Sequence, residues 1–485
     1  MSADIPPMGA SGTKAAPETA GETWLTRWAP EDQQFWGETG SRVAWQTLTL
    51  TTTSLLLSFA TWFMVSGIVV RLPEIGFEYT DMQLFWLAAM PGLAGGTLRI
   101  VHTFLIPMFG TRHVITVATL LKLIPCIGIG LAILNPSTPF WLFLVLALSA
   151  GFGGGDFSSY MPSTSLFFPK RLQGTALGIQ AGIGNFGVSV TQFVTPWIIG
   201  FALAGGLLGG SQVLNLRGGG EPREVWLQNA AFIYVPFLIL LGVLCWRYLR
   251  SVPVRASFRE QLDIFGDKHT WFCTITYVMT FGSFAGLSAA FPLMIRALYG
   301  DFPGAPDPLT FAFLGPLVGS LVRVLMGWPS DRWGGSIFTQ LSGIGLIACG
   351  LALIFGGYLA PTTLDQFPVF VWLMLGLFLF AGIGNASTFR QYPLIFAHSP
   401  RQGAGVIGFT AAIAAYGPFV FAALIGMSID RTGSAAAFFW GAIAFWAVAS
   451  AINWWHYTRP GKGRWDFGTT WGTWWDEHTR RNEHA

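Results

Sequence analysis

Pro91-Gly92-Leu93-Ala94-Gly95-Gly96-Thr97-Leu98-Arg99 returns 224 positions later as Gly315-Pro316-Leu317-Val318-Gly319-Ser320-Leu321-Val322-Arg323. Leucine, glycine and arginine match in register, and each arginine is followed eleven residues on by a glycine, Gly110 or Gly334. The surrounding chain says what medium this repeat lives in. Of 485 residues, 52% are hydrophobic and 11% charged, against about 25% charged in an average soluble domain. Mean hydropathy is +0.52. Such a chain lacks the polar surface of a soluble enzyme and the charge of a disordered one. A net charge of +3 gives no footprint for nucleic acid. Cys126, Cys245, Cys273 and Cys349 are far apart, without metal-ligand spacing or a disulfide framework. The histidines offer no helical pair for haem, so no metal or cofactor is expected, and no enzyme.

A spanning helix takes about 20 apolar residues. Windows of that size predict twelve, at 48–70, 82–108, 113–133, 140–167, 175–201, 229–249, 271–298, 309–328, 336–358, 367–397, 404–430 and 434–456. The expected fold is an all-α membrane protein with two pseudo-symmetric six-helix halves, 48–249 and 271–456. A basic linker, 250–270, joins them. An amino-terminal segment, 1–47, without a cleavable signal peptide, and a tail, 457–485, with Trp465, Trp471, Trp474 and Trp475, flank them. Even-numbered loops carry Arg112, Lys170, Arg171, Arg247, Arg250, Arg255, Arg259, Lys268, Arg332 and Arg401, whereas odd-numbered loops carry only Arg71, Arg217, Arg223, Arg296 and Arg431. That asymmetry places both termini in the cytoplasm; a bacterial-type inner membrane as the location, the lipid bilayer as partner and a monomer as the state are further expectations.

Arg99 and Arg323 fall well inside the second helix of each half. An arginine at the bilayer centre costs about 2.5–3.5 kcal/mol on insertion scales, so two in equivalent places need a purpose. Two planar guanidinium forks facing one cavity suit a small planar oxyanion. Gly95 and Gly319, one turn before them, let a neighbouring helix approach closely. Gly174, Gly178 and Gly182 repeat at four-residue spacing on the fifth helix, a smooth face for packing, with a weaker copy running through Gly403 and Gly408 to Gly417. Asn185 is a polar amide inside the bilayer and needs a partner.

Gly327-Trp328-Pro329-Ser330-Asp331-Arg332-Trp333-Gly334-Gly335 resembles the loop motif of the major facilitator superfamily, whose two halves are related by an axis along the membrane normal. Gly178-Ile179-Gln180-Ala181-Gly182-Ile183-Gly184-Asn185-Phe186-Gly187 resembles the signature of the nitrate/nitrite porter family within it. Trp28-Ala29-Pro30-Glu31-Asp32-Gln33-Gln34-Phe35-Trp36 is similar to the lead segment of its bacterial members. The resemblance covers about residues 28–456. It implies transport of nitrate and nitrite, with the anion between Arg99 and Arg323 and sandwiched by Phe157, Tyr277 and Phe281. It also implies the amide of Asn185 at the site, and the signature glycines Gly178, Gly182, Gly184, Gly187 and Gly408.

His102, Lys122, Asp156 and Arg390 are the ionisable residues within the helices that the resemblance leaves unexplained, and they are candidates for coupling or gating. Close relatives have Asn beside the phenylalanine of the fourth helix, where this chain has Asp156, and can have Gln where it has Arg390. An unpaired charge there is expensive, so Asp156 is expected to pair with Arg390 across the cavity in one conformation, or with Lys122. Two arginines facing an empty slot repel, which favours antiport of nitrate against nitrite. Proton symport needs a titratable group, for which Asp156 or His102 could serve, and transport of another small anion is the third possibility.

Overall fold

The computed structural model describes residues 24–459 except 204, 218, 220, 253–258 and 397. The four tail tryptophans and residues 253–258 of the expected linker lie outside the described residues. Ten segments are long and apolar enough to cross a bilayer. One of them, Asp81–Ile133, breaks at Gly110, whose φ of 77° and ψ of 161° are not helical. The glycine- and glutamine-bearing Lys170–Ile198 adds a further rod. Twelve rods result, in the order expected: α1 (Gln33–Arg71), α2 (81–109), α3 (111–133), α4 (Phe140–Phe167), α5 (Lys170–Ile198), α6 (Asn229–Tyr248), α7 (Lys268–Tyr299), α8 (Pro308–Leu325), α9 (Gly335–Phe355), α10 (Leu364–Ile395), α11 (Gly405–Thr432) and α12 (Ala436–Thr458). The apolar windows of α1 and α7 are 83% and 94% buried, against 39% for α9 and 44% for α12. The first pair is therefore central, and the second presents apolar faces suited to lipid.

Three local features depart from the sequence reading. Helix α1 starts at Gln33 rather than 48, because Asp32 caps it by accepting from the backbone N–H groups of Gln34 and Phe35. The residues ahead of it are structural. Trp28 donates to the Leu166 carbonyl at 3.0 Å and Glu31 accepts from the Lys170 N–H at 2.9 Å, which ties the lead to the α4–α5 turn. The chain is not wholly helical either, since β1 (Gln212–Leu214) pairs antiparallel with β2 (Arg223–Val225) between α5 and α6. Finally, α4 is made of three pieces, Phe140–Ser149, Phe152–Gly155 and Phe157–Phe167.

The repeat is visible as packing. A Cβ on Gly95 would come within 2.9 Å of Trp62 on α1, and one on Gly319 within 2.7 Å of Phe284 on α7. A Cβ on Gly154 of α4 would lie 2.8 Å from the Gly95 Cα, and one on Gly382 of α10 would lie 2.9 Å from the Gly319 Cα. In both halves, then, glycines bring two helices to backbone contact just before the arginine and seat an aromatic side chain of a third against them. Close approach there leaves no room for any side chain.

Candidate anion-binding site

Arg99 on α2 is completely buried and Arg323 on α8 nearly so. Arg99 donates from Nε to the Gly154 carbonyl and from Nη1 to the Ala411 carbonyl of α11, both at 2.7 Å. The first carbonyl is within reach because of the Gly95–Gly154 contact. The second follows from a seam in which a Cβ on Gly96 would meet the Tyr416 ring at 2.5 Å. Among the described residues, Arg99 Nη2, both Nη atoms of Arg323 and the Tyr277 hydroxyl have no acceptor within normal hydrogen-bond geometry, and the Tyr277 hydroxyl and the Arg323 guanidinium face each other. Neither arginine forms an ion pair among the described residues.

Aromatic rings connect the two cations. The Arg99 guanidinium carbon lies 4.9 Å from the Phe157 ring centre, 5.3 Å from Phe281 and 5.2 Å from Trp62. Phe281 stacks on Tyr277 at 5.4 Å and 7°, and Tyr277 stacks on Phe389 at 4.9 Å and 19°. Arg323 lies 5.0 Å over the Phe389 ring. The result is a ladder of guanidinium, three rings and guanidinium, with each cation on a ring face where the quadrupole attracts it. Arg99, Arg323 and Tyr277 are within Coulombic reach of one another. Phe389 on α10, the rung between Tyr277 and Arg323, is absent from the sequence expectation. Its signal was the residue run Gly382 to Phe389, which repeats the glycine-rich approach of α4, but one ring among 42 phenylalanines does not declare itself.

The other expected residues divide. Asn185 is fully buried with both amide atoms unpartnered, and so is Asn385 of α10. Gly182 faces Val324 beside Arg323, while Gly184 and Gly187 pack on Leu55 and Phe59 of α1. Phe59 in turn contacts Phe157 edge-on at 6.3 Å. Gly178 is different: a Cβ there would meet nothing within 4 Å, and one on Gly408 would only touch Thr103 at 3.9 Å. The smooth face expected of Gly178 is therefore not packed in this conformation.

In this conformation Asp156 pairs with Lys122, the second of its two expected partners, and not with Arg390. Its carboxylate is ion-paired with Lys122, both completely buried, and accepts from the Ser58 hydroxyl at 2.5 Å. His102 Nδ1 is 4.0 Å from its other oxygen and 2.9 Å from the Ser159 hydroxyl. Arg390 instead pairs with Asp331 at 2.7 Å, with both side chains largely exposed. The reason is angular: successive residues on a helix are rotated by about 100°, so Arg390 points away from the face that carries Phe389.

On the odd-loop side the two halves are latched. Arg71 at the end of α1 pairs with Asp307 ahead of α8 as well as with Glu74, and Arg296 of α7 pairs with Asp81 of α2. Arg217, after β1, reaches Asp301 at 2.5 Å. Inside them Gln192 of α5 donates to the Ser288 carbonyl of α7 at 2.8 Å, and Ser189 to the Phe313 carbonyl at 3.2 Å. Asp307→Asn keeps the cap that Asp307 gives Leu309 and leaves Arg71 on Glu74, so it weakens only the bridge. A partly buried charge pair lost across an interface shifts a two-state balance by about 1 kcal/mol, roughly fivefold. In a cysteine-free background, Ser189→Cys is expected to label several-fold faster with a membrane-impermeant maleimide when Asp307→Asn is present. An unchanged rate means the bridge does not hold this side shut.

Two helical bundles around a central pair of buried cations suit a secondary transporter, and the comparisons show that class. Residues 51–403 match the Major Facilitator Superfamily. A bacterial homologue of the human lysosomal transporter Spinster, solved in an inward-facing and unoccupied conformation, aligns with a TM-score of 0.59 over 85% of this chain and 96% of its own, at 16% identity. That likeness concerns the fold alone. Among curated proteins, the "Probable nitrate/nitrite antiporter NarK2" of Thermus thermophilus is 60% identical, covering 92% of this chain and 98% of its own. The "Nitrate/nitrite transporter NarU" of Escherichia coli K12 is 36% identical over 90% of this chain and 96% of its own. The chain belongs to the nitrate/nitrite porter family of the major facilitator superfamily, multi-pass membrane transporters.

Proposed function

We propose that this protein exchanges nitrate for nitrite by alternating access, with the anion held between Arg99 and Arg323. The observation that carries the reading is the set of buried donors without an acceptor among the described residues: Arg99 Nη2, Arg323 Nη1 and Nη2, and the Tyr277 hydroxyl facing Arg323, joined by one aromatic ladder. Buried donors of this kind call for an acceptor, and two guanidiniums call for a negative one. Weakly hydrated, planar nitrate and nitrite lose less on entering such a dry slot than sulfate or phosphate. The names of the two relatives support the same substrates.

Exchange follows from repulsion. Two cations within Coulombic reach in a low-dielectric slot resist being brought closer, so the halves close around the site only with an anion between them. Asp156 is already committed to Lys122, which supports exchange over proton symport. The latched odd-loop side then faces out of a bacterial inner membrane, with both termini cytoplasmic and the carrier acting as a monomer. Proteoliposomes test this. Labelled nitrate uptake is expected to require internal nitrite or nitrate and to be indifferent to a pH gradient. Uptake into anion-free vesicles driven by a pH gradient overturns exchange and makes the transporter a proton symporter.

A further inference from the structure

Helix α4 carries two groups that hold Arg99 in place, the Gly154 carbonyl and the Phe157 ring, on its least helical stretch. Gly151 and Gly153-Gly154-Gly155 occupy that stretch. Glycine costs about 1 kcal/mol per helical position relative to alanine, and here the backbone tightens to i→i−3 bonds, with Gly151 N–H on Leu148 and Gly153 N–H on Ala150. The glycines are required, since a Cβ on Gly154 would strike Trp62 at 2.6 Å and the Gly95 Cα at 2.8 Å. The equivalent α10 runs without a break from Phe367 to Ile395 and has the neutral Asn385 in its own glycine run. A segment this weak needs an external anchor if Gly154 and Phe157 are to stay on Arg99.

We propose that Lys122 and Asp156, with Ser58, are the positioning residues of the anion site: they pin the interrupted α4 so that Gly154 and Phe157 keep Arg99 aimed at the substrate. Asp156 lies two residues after Gly154 and directly before Phe157, at the junction of two helical pieces. Its carboxylate is held from α3 by Lys122 and from α1 by Ser58, so the junction is fixed to both neighbours. Lys122 is itself oriented, donating to the Ala118 carbonyl at 2.9 Å. A buried ion pair adds little net stability but fixes geometry, and the geometry fixed here is that of the site. The proposal rests on Arg99 being an anion ligand.

The test is nitrate counterflow in proteoliposomes, reading KM and maximal rate separately alongside the unfolding temperature. Loss of positioning weakens binding of substrate and transition state alike, which raises KM and spares the maximal rate. Ser58→Ala, which removes one tether and keeps the ion pair, is expected to raise KM roughly threefold, because the Lys122 tether still holds the junction and only part of the lost bond reaches the site. Lys122→Met with Asp156→Asn, neutral and without the tether to α3, is expected to raise KM about tenfold with the unfolding temperature nearly unchanged. Lys122→Gln with Asp156→Asn restores a hydrogen bond between α3 and α4 and is expected to stay within about threefold of the parent. An unchanged KM in Ser58→Ala overturns the proposal whether or not the double variants fold. So does a Met/Asn variant indistinguishable from the Gln/Asn one, or proton uptake coupled to nitrate that either double abolishes. Absence of nitrate exchange in the parent protein is a separate result, and refutes the transport reading instead.

Discussion

Arg99→Lys is expected to lower nitrate exchange (maximal rate over KM) by about 100-fold, and Arg323→Lys by only about tenfold. Lysine keeps the charge in both, so the difference lies in what else each guanidinium does. Arg99 spends Nε and Nη1 on the carbonyls of Gly154 and Ala411, which leaves Nη2 for the anion. A lysine nitrogen serving the anion abandons two buried carbonyls on two helices, one of them across the interface between halves. A hydrogen bond to a charged group contributes about 1.5–3 kcal/mol, and about 1.4 kcal/mol is a factor of ten, so losing one net bond and the flat stacking reaches 100-fold. Arg323 has both Nη atoms unpaired, and its lysine loses the fork but strands no carbonyl of this kind. Equal losses at the two positions would mean that Arg99 has no anchoring role. Parent-like affinity in both would remove the site.

What was legible in the sequence follows from cost. A charge inside the bilayer is expensive, so the few that remain stand out, and the repeat around Arg99 and Arg323 gave their equivalence without any structure. The glycines beside them, Gly95 and Gly319, were readable for the same reason: a missing side chain in a tight seam has few other uses. Phe389 was not, because an aromatic residue costs nothing in lipid and its role depends on a ring angle. The start of α1 at Gln33 is not legible, because hydropathy registers the apolar core of a span and not the polar turns that continue the same helix. Arg390 shares its depth with Phe389 but not its direction, so in this conformation it meets Asp331. The Gly178 face was read as packed, but which glycines touch a neighbour depends on the conformation, and Gly182, Gly184 and Gly187 are the ones engaged in this one.

The largest loss of folded protein is expected from Asp156→Leu. Lys122 then keeps its ammonium in a place with no solvent access, holding only the Ala118 carbonyl. Breaking a buried pair on one side costs about 3–5 kcal/mol, a large fraction of the 5–15 kcal/mol that typically separates folded from unfolded protein. The monodisperse fraction in detergent should collapse, and Lys122→Met in the same chain should restore most of it, because the orphaned charge is gone. Arg390→Leu sets the scale from the other side. Its partnership with Asp331 is exposed at 41% and 59%, and such pairs contribute about 0–1 kcal/mol, so its yield should match the parent. By the same logic, exchanging the charges as Asp156→Arg with Arg390→Asp should fail to rescue, since it buries a cation beside Lys122. Rescue by that exchange would mean that Asp156 and Arg390 meet in another state of the carrier. A normal yield from Asp156→Leu alone would mean that the fold does not depend on the Lys122–Asp156 pair.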